Sequence, residues 1–277
     1  MNGEKLFRLA GATFSLVIFG VLVWRENRRP LRRSVEPALN REGRNLAVAG
    51  AAAVALQLTE VPAANRLTKL VEQKNWGLLK ILPLPPLLET ILAVALMDYT
   101  LYVWHYLTHR VPFLWRFHLI HHIDLDLDAT TAVRFHFVEI IVSVAWRSAQ
   151  ILLIGVSPTS FAAWQMFLFP SILFHHSNIR LPLEFERKLQ KFVVTPRLHG
   201  IHHSAAREET DSNWSSGLTL WDRLHGTYRA DVPEDKITIG VPAYQNPGEL
   251  TLPKILWLPF KAQRTSWQPA EAGKQLQ

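Results

Sequence analysis

HYLTHRVPFLWRFHLIHH, residues 105–122, carries five histidines in eighteen positions and follows directly on the apolar run from Leu87 to Tyr106. Residues four apart on a helix share a face, so His105 and His109 can approach one metal ion together. In HLIHH the first and third histidines, His118 and His122, lie similarly close. The adjacent His121 points elsewhere and can serve a neighbouring ion. The stretch therefore reads as the end of an apolar helix passing into a histidine-bearing helical cap, and it decides between a plain bundle and one with a metal-binding end.

The pattern recurs downstream. HGIHH places His199, His202 and His203 in the same spacing, and FHHSN holds His175 and His176. All twelve histidines fall between His105 and His225, with none in residues 1–104 or 226–277. Scattered core or surface histidines do not distribute this way, and the clustering asks for a shared ligand. Of the adjacent pair, one of His175 and His176 is expected to bind metal and the other to support it. Upstream, Asp98, Tyr102, His105 and His109 form a single stripe at spacings of 4, 3 and 4. Asp98 can orient a ligand from behind or receive a helical hydrogen bond, as carboxylates around metal-bound imidazole do.

Imidazole suits zinc, copper, iron and nickel, so ligand type alone does not select the metal. Number does more: a zinc site is complete with four ligands, or three and water. These motifs offer at least eight candidates, enough for two ions. An all-nitrogen site beside lipid suits redox chemistry on an apolar substrate better than hydrolysis, and the HExxH pattern of zinc hydrolases is absent.

The remaining composition points to a membrane. The chain has 277 residues, 48% hydrophobic and 19% charged, against about 25% charged in an ordinary soluble domain. There is no cysteine, which excludes disulfides, thiolate zinc sites, iron–sulfur clusters and cysteine nucleophiles. The net charge of +7 is not interleaved with aromatics on a nucleic-acid motif, so no nucleic-acid partner is expected. It flanks apolar runs instead: Arg25, Arg28, Arg29, Arg32, Arg33, Arg41 and Arg44 lie between the first two, the bias of a cytoplasmic loop.

Five apolar runs are legible. Leu6 to Trp24 is long enough to cross the hydrocarbon core and is followed by arginines rather than a cleavage site, so it reads as an anchor. Leu46 to about Ala64 is weaker and either spans or lies at the interface. Asn65 to Lys80 is polar, and Pro83, Pro85 and Pro86 break any helix before Leu87. Phe137 to Gly155 and Phe161 to Phe174 read as a hairpin around Ser157-Pro158 that crosses or re-enters the bilayer. The expected fold is an all-α integral membrane bundle of about four to five spans with a cytosolic, helical, histidine-rich cap. Anchor helices and basic loop occupy residues 1–80, the catalytic domain 81–235, and a polar tail 236–277 whose Lys-, Gln- and Ala-rich end is expected to be mobile.

Two other readings fit parts of this pattern. A metal transporter would place ionisable residues in mid-span, yet these histidines sit at span ends. A membrane haem protein would need histidine pairs facing across helices, which dense HxxHH groups do not explain.

HxxxH at His105, HxxHH at His118 and HxxHH at His199 resemble the fatty acid hydroxylase and sterol desaturase superfamily. The likeness extends to Trp115-Arg116-Phe117-His118, Arg134-Phe135-His136 with Glu139, His176-Ser177-Asn178, Thr195-Pro196-Arg197, Thr210-Asp211-Ser212-Asn213 and Trp221-Asp222-Arg223-Leu224, over about residues 95–230. Phe137 stands where members often have proline, and His225 where many have an aromatic residue. The resemblance implies a non-haem di-iron centre that activates O2 with electrons from a separate reductase or carrier protein, to hydroxylate or desaturate a lipid or sterol-like substrate. It implies His105, His109, His118, His121, His122, His199, His202 and His203 as ligands, completed by His176 or His175. Asp98, His136, Asp211 and Asn178 are candidate supporting residues, and His225 is not counted as a ligand. The Arg- and Ala-rich composition favours a bacterial inner membrane over endoplasmic reticulum.

Overall fold

Prolines stand at several of the helix starts. In a computed structural model, which describes residues 3–268, Pro86, Pro112, Pro158 and Pro196 each stand in a helix's first turn, where a missing N–H costs little. The helices are α1 (Gly3–Arg28), α2 (Ala38–Leu58), α3 (Glu60–Lys74), the single turn α4 (Leu78–Ile81), α5 (Pro86–Arg110), α6 (Pro112–His122), α7 (Phe137–Ile154), α8 (Pro158–His176), α9 (Leu183–Leu189), α10 (Pro196–His202), α11 (Arg207–Thr210), α12 (Leu220–Leu224) and α13 (Leu252–Trp257). No β-strand occurs among the described residues, only isolated bridges. The fold is the expected all-α bundle.

The second apolar run becomes part of a longer passage than the sequence suggested. Val48 of α2 is buried beside Leu119, Ile120 and Ile123, next to the histidines, whereas Val71 of α3 is buried with Ile151 and Ile154 at the far end of α7. Thus α2 and α3, interrupted at Thr59, form one passage from the histidine end to the opposite end. The nominally polar stretch after Asn65 stays helical because Ala64, Thr68 and Val71, spaced 4 and 3, put one buried face on α3. α5 then returns to the histidine end, α7 leaves it and α8 returns. Leu22 of α1 packs with Leu173 of α8, so α1 also arrives there.

Among the described residues, three helical stretches are long and apolar enough to cross a membrane by length and composition: Ala38–Ile81, Pro86–Arg110 and Phe137–Ile154. α8 is not among them, because Gln165, two prolines and the histidine pair dilute its apolar run. Opposite the histidines, Gly77 (φ +101°) and Gly155 (φ +86°) lie backbone against backbone, and a side chain on either would strike the other.

An ion pair joins α3 to α7 within the bundle. Glu60, at the α2–α3 break, accepts from Arg147 Nε of α7 at 3.2 Å, and the Arg147 guanidinium lies 4.2 Å over the Trp164 ring. A lone charge there would be costly, whereas this pair is mutually neutralised and stacked.

The cap needs residues that the sequence assigned to a polar tail. Val241, Ala243, Tyr244, Leu250, Ile255 and Leu258 are buried in one cluster with Val48, Leu119, Ile120 and Ile123. Residues 241–258 therefore close the core behind the HLIHH helix, and only the Lys-, Gln- and Ala-rich end after Gln268 lies outside the described residues. Short polar segments between the apolar residues hid this packing from a reading by composition.

Candidate metal centre

Four elements deliver histidines to one end of the bundle. α5 ends with His105 and His109, α6 carries His118, His121 and His122, α8 ends with His176, and α10 carries His199 and His202 with His203 just beyond. Eight of these nine rings, all but His118, fall into two groups of four. His105, His109, His122 and His202 form one, and His121, His176, His199 and His203 the other, with the ligand atoms of each group all within 4.8 Å of one another. Each HxxHH pair is split: His121 and His122 join different groups, as do His202 and His203. Adjacent residues on a helix point about 100° apart, which is why neighbours serve separate centres. The two groups adjoin, with His122 stacked on His203 at a ring separation of 4.3 Å.

The hydrogen bonds fix which nitrogen is free. Nδ1 of His105 donates to the Trp214 carbonyl at 2.7 Å, Nδ1 of His202 to the Ser212 carbonyl at 2.8 Å, and Nδ1 of His176 to the Ile172 carbonyl at 2.8 Å. A carbonyl can only accept, so each ring carries its proton on Nδ1 and presents a lone pair at Nε2. Yet the Nε2 atoms of His105 and His202 face each other at 3.1 Å with no proton between them. Two opposed lone pairs at that distance repel, and a cation between them removes the conflict. The buried Nε2 atoms of His109, His118 and His122 likewise lack a hydrogen-bond partner. Orphaned buried nitrogens of this number are costly unless they ligate. The residues present thus fit two metal ions.

Protonation is consistent with that fit. Burial, then the neighbouring imidazoles, holds His121, His122, His199 and His203 well below the ordinary imidazole range, and burial pushes His202 down to about 3. The rings are therefore neutral, the form that binds metal.

His118 lies between the groups, its ring 5.1 Å from those of His105 and His109, 5.2 Å from His121 and 4.9 Å from His122. Its Nδ1 donates to Glu139 Oε1 at 2.8 Å, the carboxylate–imidazole arrangement that fixes a ligating ring. Glu139 was visible in the motif, but nothing local linked it to a histidine 21 residues earlier. Glu139→Ala is expected to weaken metal binding about 10- to 100-fold, with Glu139→Gln close to wild type because its amide oxygen still accepts. Titration of stripped protein with metal checks this.

The other candidates lie elsewhere. The His175 ring lies 4.1 Å from that of His199, tilted against it, but is outside both groups, whereas His176 is inside one. Asp98 bonds no histidine: it accepts from the Leu218 N–H at 3.0 Å and the Trp221 indole at 2.7 Å, tying α5 to the loop before α12. His136 caps α7, accepting from the Val138 N–H at 3.2 Å. Asp211 pairs with Arg110 at 3.1 Å, and Asn178 brackets the backbone of Arg32. These four act as joints of the scaffold. His225 is exposed and stacks on Tyr99 and Tyr102, apart from the centre. Sequence reasoning missed Asp222, whose carboxylate accepts from the Trp214 and Ser215 N–H groups, both at 3.0 Å, and so holds the loop whose carbonyl orients His105.

A helical membrane scaffold with eight imidazoles gathered at one end in two four-nitrogen groups defines the class of histidine-box membrane proteins. The family described as fatty acid hydroxylase matches residues 90–227. The chain belongs to the fatty acid hydroxylase and sterol desaturase superfamily. It is 30% identical over 161 residues to ornithine lipid hydroxylase OlsE of Rhizobium tropici, covering 57% of this chain and 46% of that protein. It is 27% identical over 145 residues to alkylglycerol monooxygenase of Homo sapiens, covering 52% and 31%. A cholesterol 25-hydroxylase-like protein of Danio rerio is 30% identical over 150 residues, covering 48% and 53%. The matched region thus spans about half or less of these relatives' lengths. No solved structure matches the chain significantly.

Proposed function

We propose that this chain is a membrane monooxygenase that uses two iron ions, O2 and an external electron donor to hydroxylate a C–H bond of a lipid or sterol-like substrate. The observation that carries the reading is the pair of converging four-nitrogen groups with lone pairs opposed across His105 and His202. Iron, among the metals imidazole accepts, is favoured by the family and by the names of its relatives, which act on ornithine lipid, alkylglycerol and cholesterol. His105, His109, His122 and His202 would hold one ion, His121, His176, His199 and His203 the other, with His118 placed to serve either. The bound irons supply the one- and two-electron chemistry that O2 activation requires. The protein's part is to keep those eight rings neutral, with the Trp214, Ser212 and Ile172 carbonyls holding protons at Nδ1 of His105, His202 and His176, and Glu139 orienting His118.

The ends of the chain's polar loops support the orientation: Arg25, Arg28, Arg29 and Arg33 are exposed at the histidine end, which would face the cytoplasm of a bacterial inner membrane. Haem is a poor fit, since ring separations of 4.1 to 5.5 Å throughout the cluster leave no gap for a porphyrin.

The test is iron analysis with Mössbauer spectroscopy on detergent-purified protein, together with lipid analysis of an expressing host grown under 18O2. Two irons per chain and a hydroxylated lipid bearing one labelled oxygen are expected. One zinc per chain, or a haem spectrum, overturns the proposal.

A further inference from the structure

Of the seven arginines between the first two apolar runs, read from the sequence as a basic cytoplasmic loop, Arg32, Arg41 and Arg44 are turned inward, and Arg32 reaches the metal centre's scaffold. Residues 29–32 pair with the strand-like segment just after His176: the Leu31 N–H donates to the Asn178 carbonyl at 2.8 Å, and the Arg180 N–H to the Arg29 carbonyl at 3.0 Å. The Asn178 side chain then grips Arg32 at both its N–H (2.8 Å) and its carbonyl (3.0 Å). From this fixed backbone the Arg32 side chain, only 11% exposed, crosses to α10. It donates to the Pro196 carbonyl at 3.2 Å, pairs with Glu234 at 2.6 Å and lies against Gly200, where any Cβ would collide with the guanidinium.

We propose that Arg32 is the positioning residue of the second four-nitrogen group, resting on the two-ion reading above. Its backbone is referenced to the arm that carries His176, and its side chain to α10, which carries His199, His202 of the first group and, just beyond its end, His203. Three of that group's four ligands are therefore spaced by one residue. The dependence is selective because the two groups are tethered differently. In the first, His105 and His202 are fixed by carbonyls at Nδ1. In the second, His176 is tethered to the Ile172 carbonyl, but Nδ1 of His121, His199 and His203 all lack partners, so those three rings are aimed by ring contacts and by the placement of their helices rather than by hydrogen bonds. Arg32 lies outside residues 90–227, so the family match assigns it nothing.

Titration of metal-stripped, full-length protein with cobalt(II) in mild detergent tests this, reading each equivalent by visible absorption. Wild type is expected to take two ions. Arg32→Ala should bind the first ion as wild type does and the second about tenfold or more weakly. Gly200→Ala, which pushes the guanidinium away without touching Arg32 itself, should reproduce that split, and retention of the first ion shows in both that the chain is folded. Arg32→Lys, which keeps the charge opposite Glu234 but loses the fork that also spans Pro196, should fall between. The proposal is overturned if Arg32→Ala takes both ions with wild-type affinity, or loses both together while keeping wild-type helix content and melting. A wild type that binds a single ion instead overturns the two-ion reading, and the positioning role with it.

Discussion

His121→Ala and His122→Ala, one residue apart, are expected to empty different halves of the metal centre. His121 belongs with His176, His199 and His203, and His122 with His105, His109 and His202. Each single variant should therefore drop from two bound ions to one, and the double variant to none. The same split is expected downstream, where His203→Ala should behave as His121→Ala and His202→Ala as His122→Ala. Oxygenase turnover should be undetectable in all of them, because O2 activation in the proposed reaction needs both ions. Metal analysis of the four single variants, with helix content measured alongside, is the check. If any one of them loses both ions while still folded, the eight nitrogens form one interdependent site rather than two.

Stripping the metal should leave a protein that loses stability steeply as the pH falls below about 6.5. His121, His122, His199, His202 and His203 have folded-state pKa values depressed from 6.5 by burial, His202 to about 3. Above pH 6.5 the rings are neutral both folded and unfolded, and this source contributes no slope. Between 6.5 and the depressed values the unfolded chain binds protons that the folded chain refuses, so acid favours unfolding. Each such proton is worth about 1.4 kcal/mol per pH unit. Carboxylates such as Asp126, Asp222 and Glu234, pushed up by burial, act in the opposite sense and offset part of the slope, but the histidines start from a higher value, 6.5 against 3.8 or 4.5, so the onset of the fall is theirs. Melting in detergent at pH 8, 7, 6 and 5 with a chelator present should show a plateau followed by a fall. Metal should raise the plateau and sharpen the fall, since protons then compete with bound ions. A flat profile in the stripped protein would mean that the rings are open to water.

The helical class, the apolar runs and the histidine motifs were all legible in the amino-acid sequence, because helical periodicity is a local property. A spacing of four between His105 and His109, or His199 and His203, sets a shared face wherever the helix ends up. Proline at the start of α5 and α8 marked boundaries for the same local reason.

What local spacing cannot carry is which faces meet. His105 and His202 are 97 residues apart in the chain and 3.1 Å apart at Nε2, a relation that exists only once α5 and α10 pack. The division of eight rings into two groups, the entry of His176 rather than His175, and the attachment of Glu139 to His118 were all decided there. Asp98 shows the converse: its place on the stripe with His105 was real, but the carboxylate found the N–H of Leu218 and the indole of Trp221 instead of a ring. The basic loop and the supposed tail went the same way. Arg32 satisfies α10 and residues 241–258 bury the back of α6, because a buried charge or apolar side chain takes whatever partner the assembled fold brings within reach. The sequence alone determined the chemistry on offer, and tertiary packing determined which nitrogens share an ion.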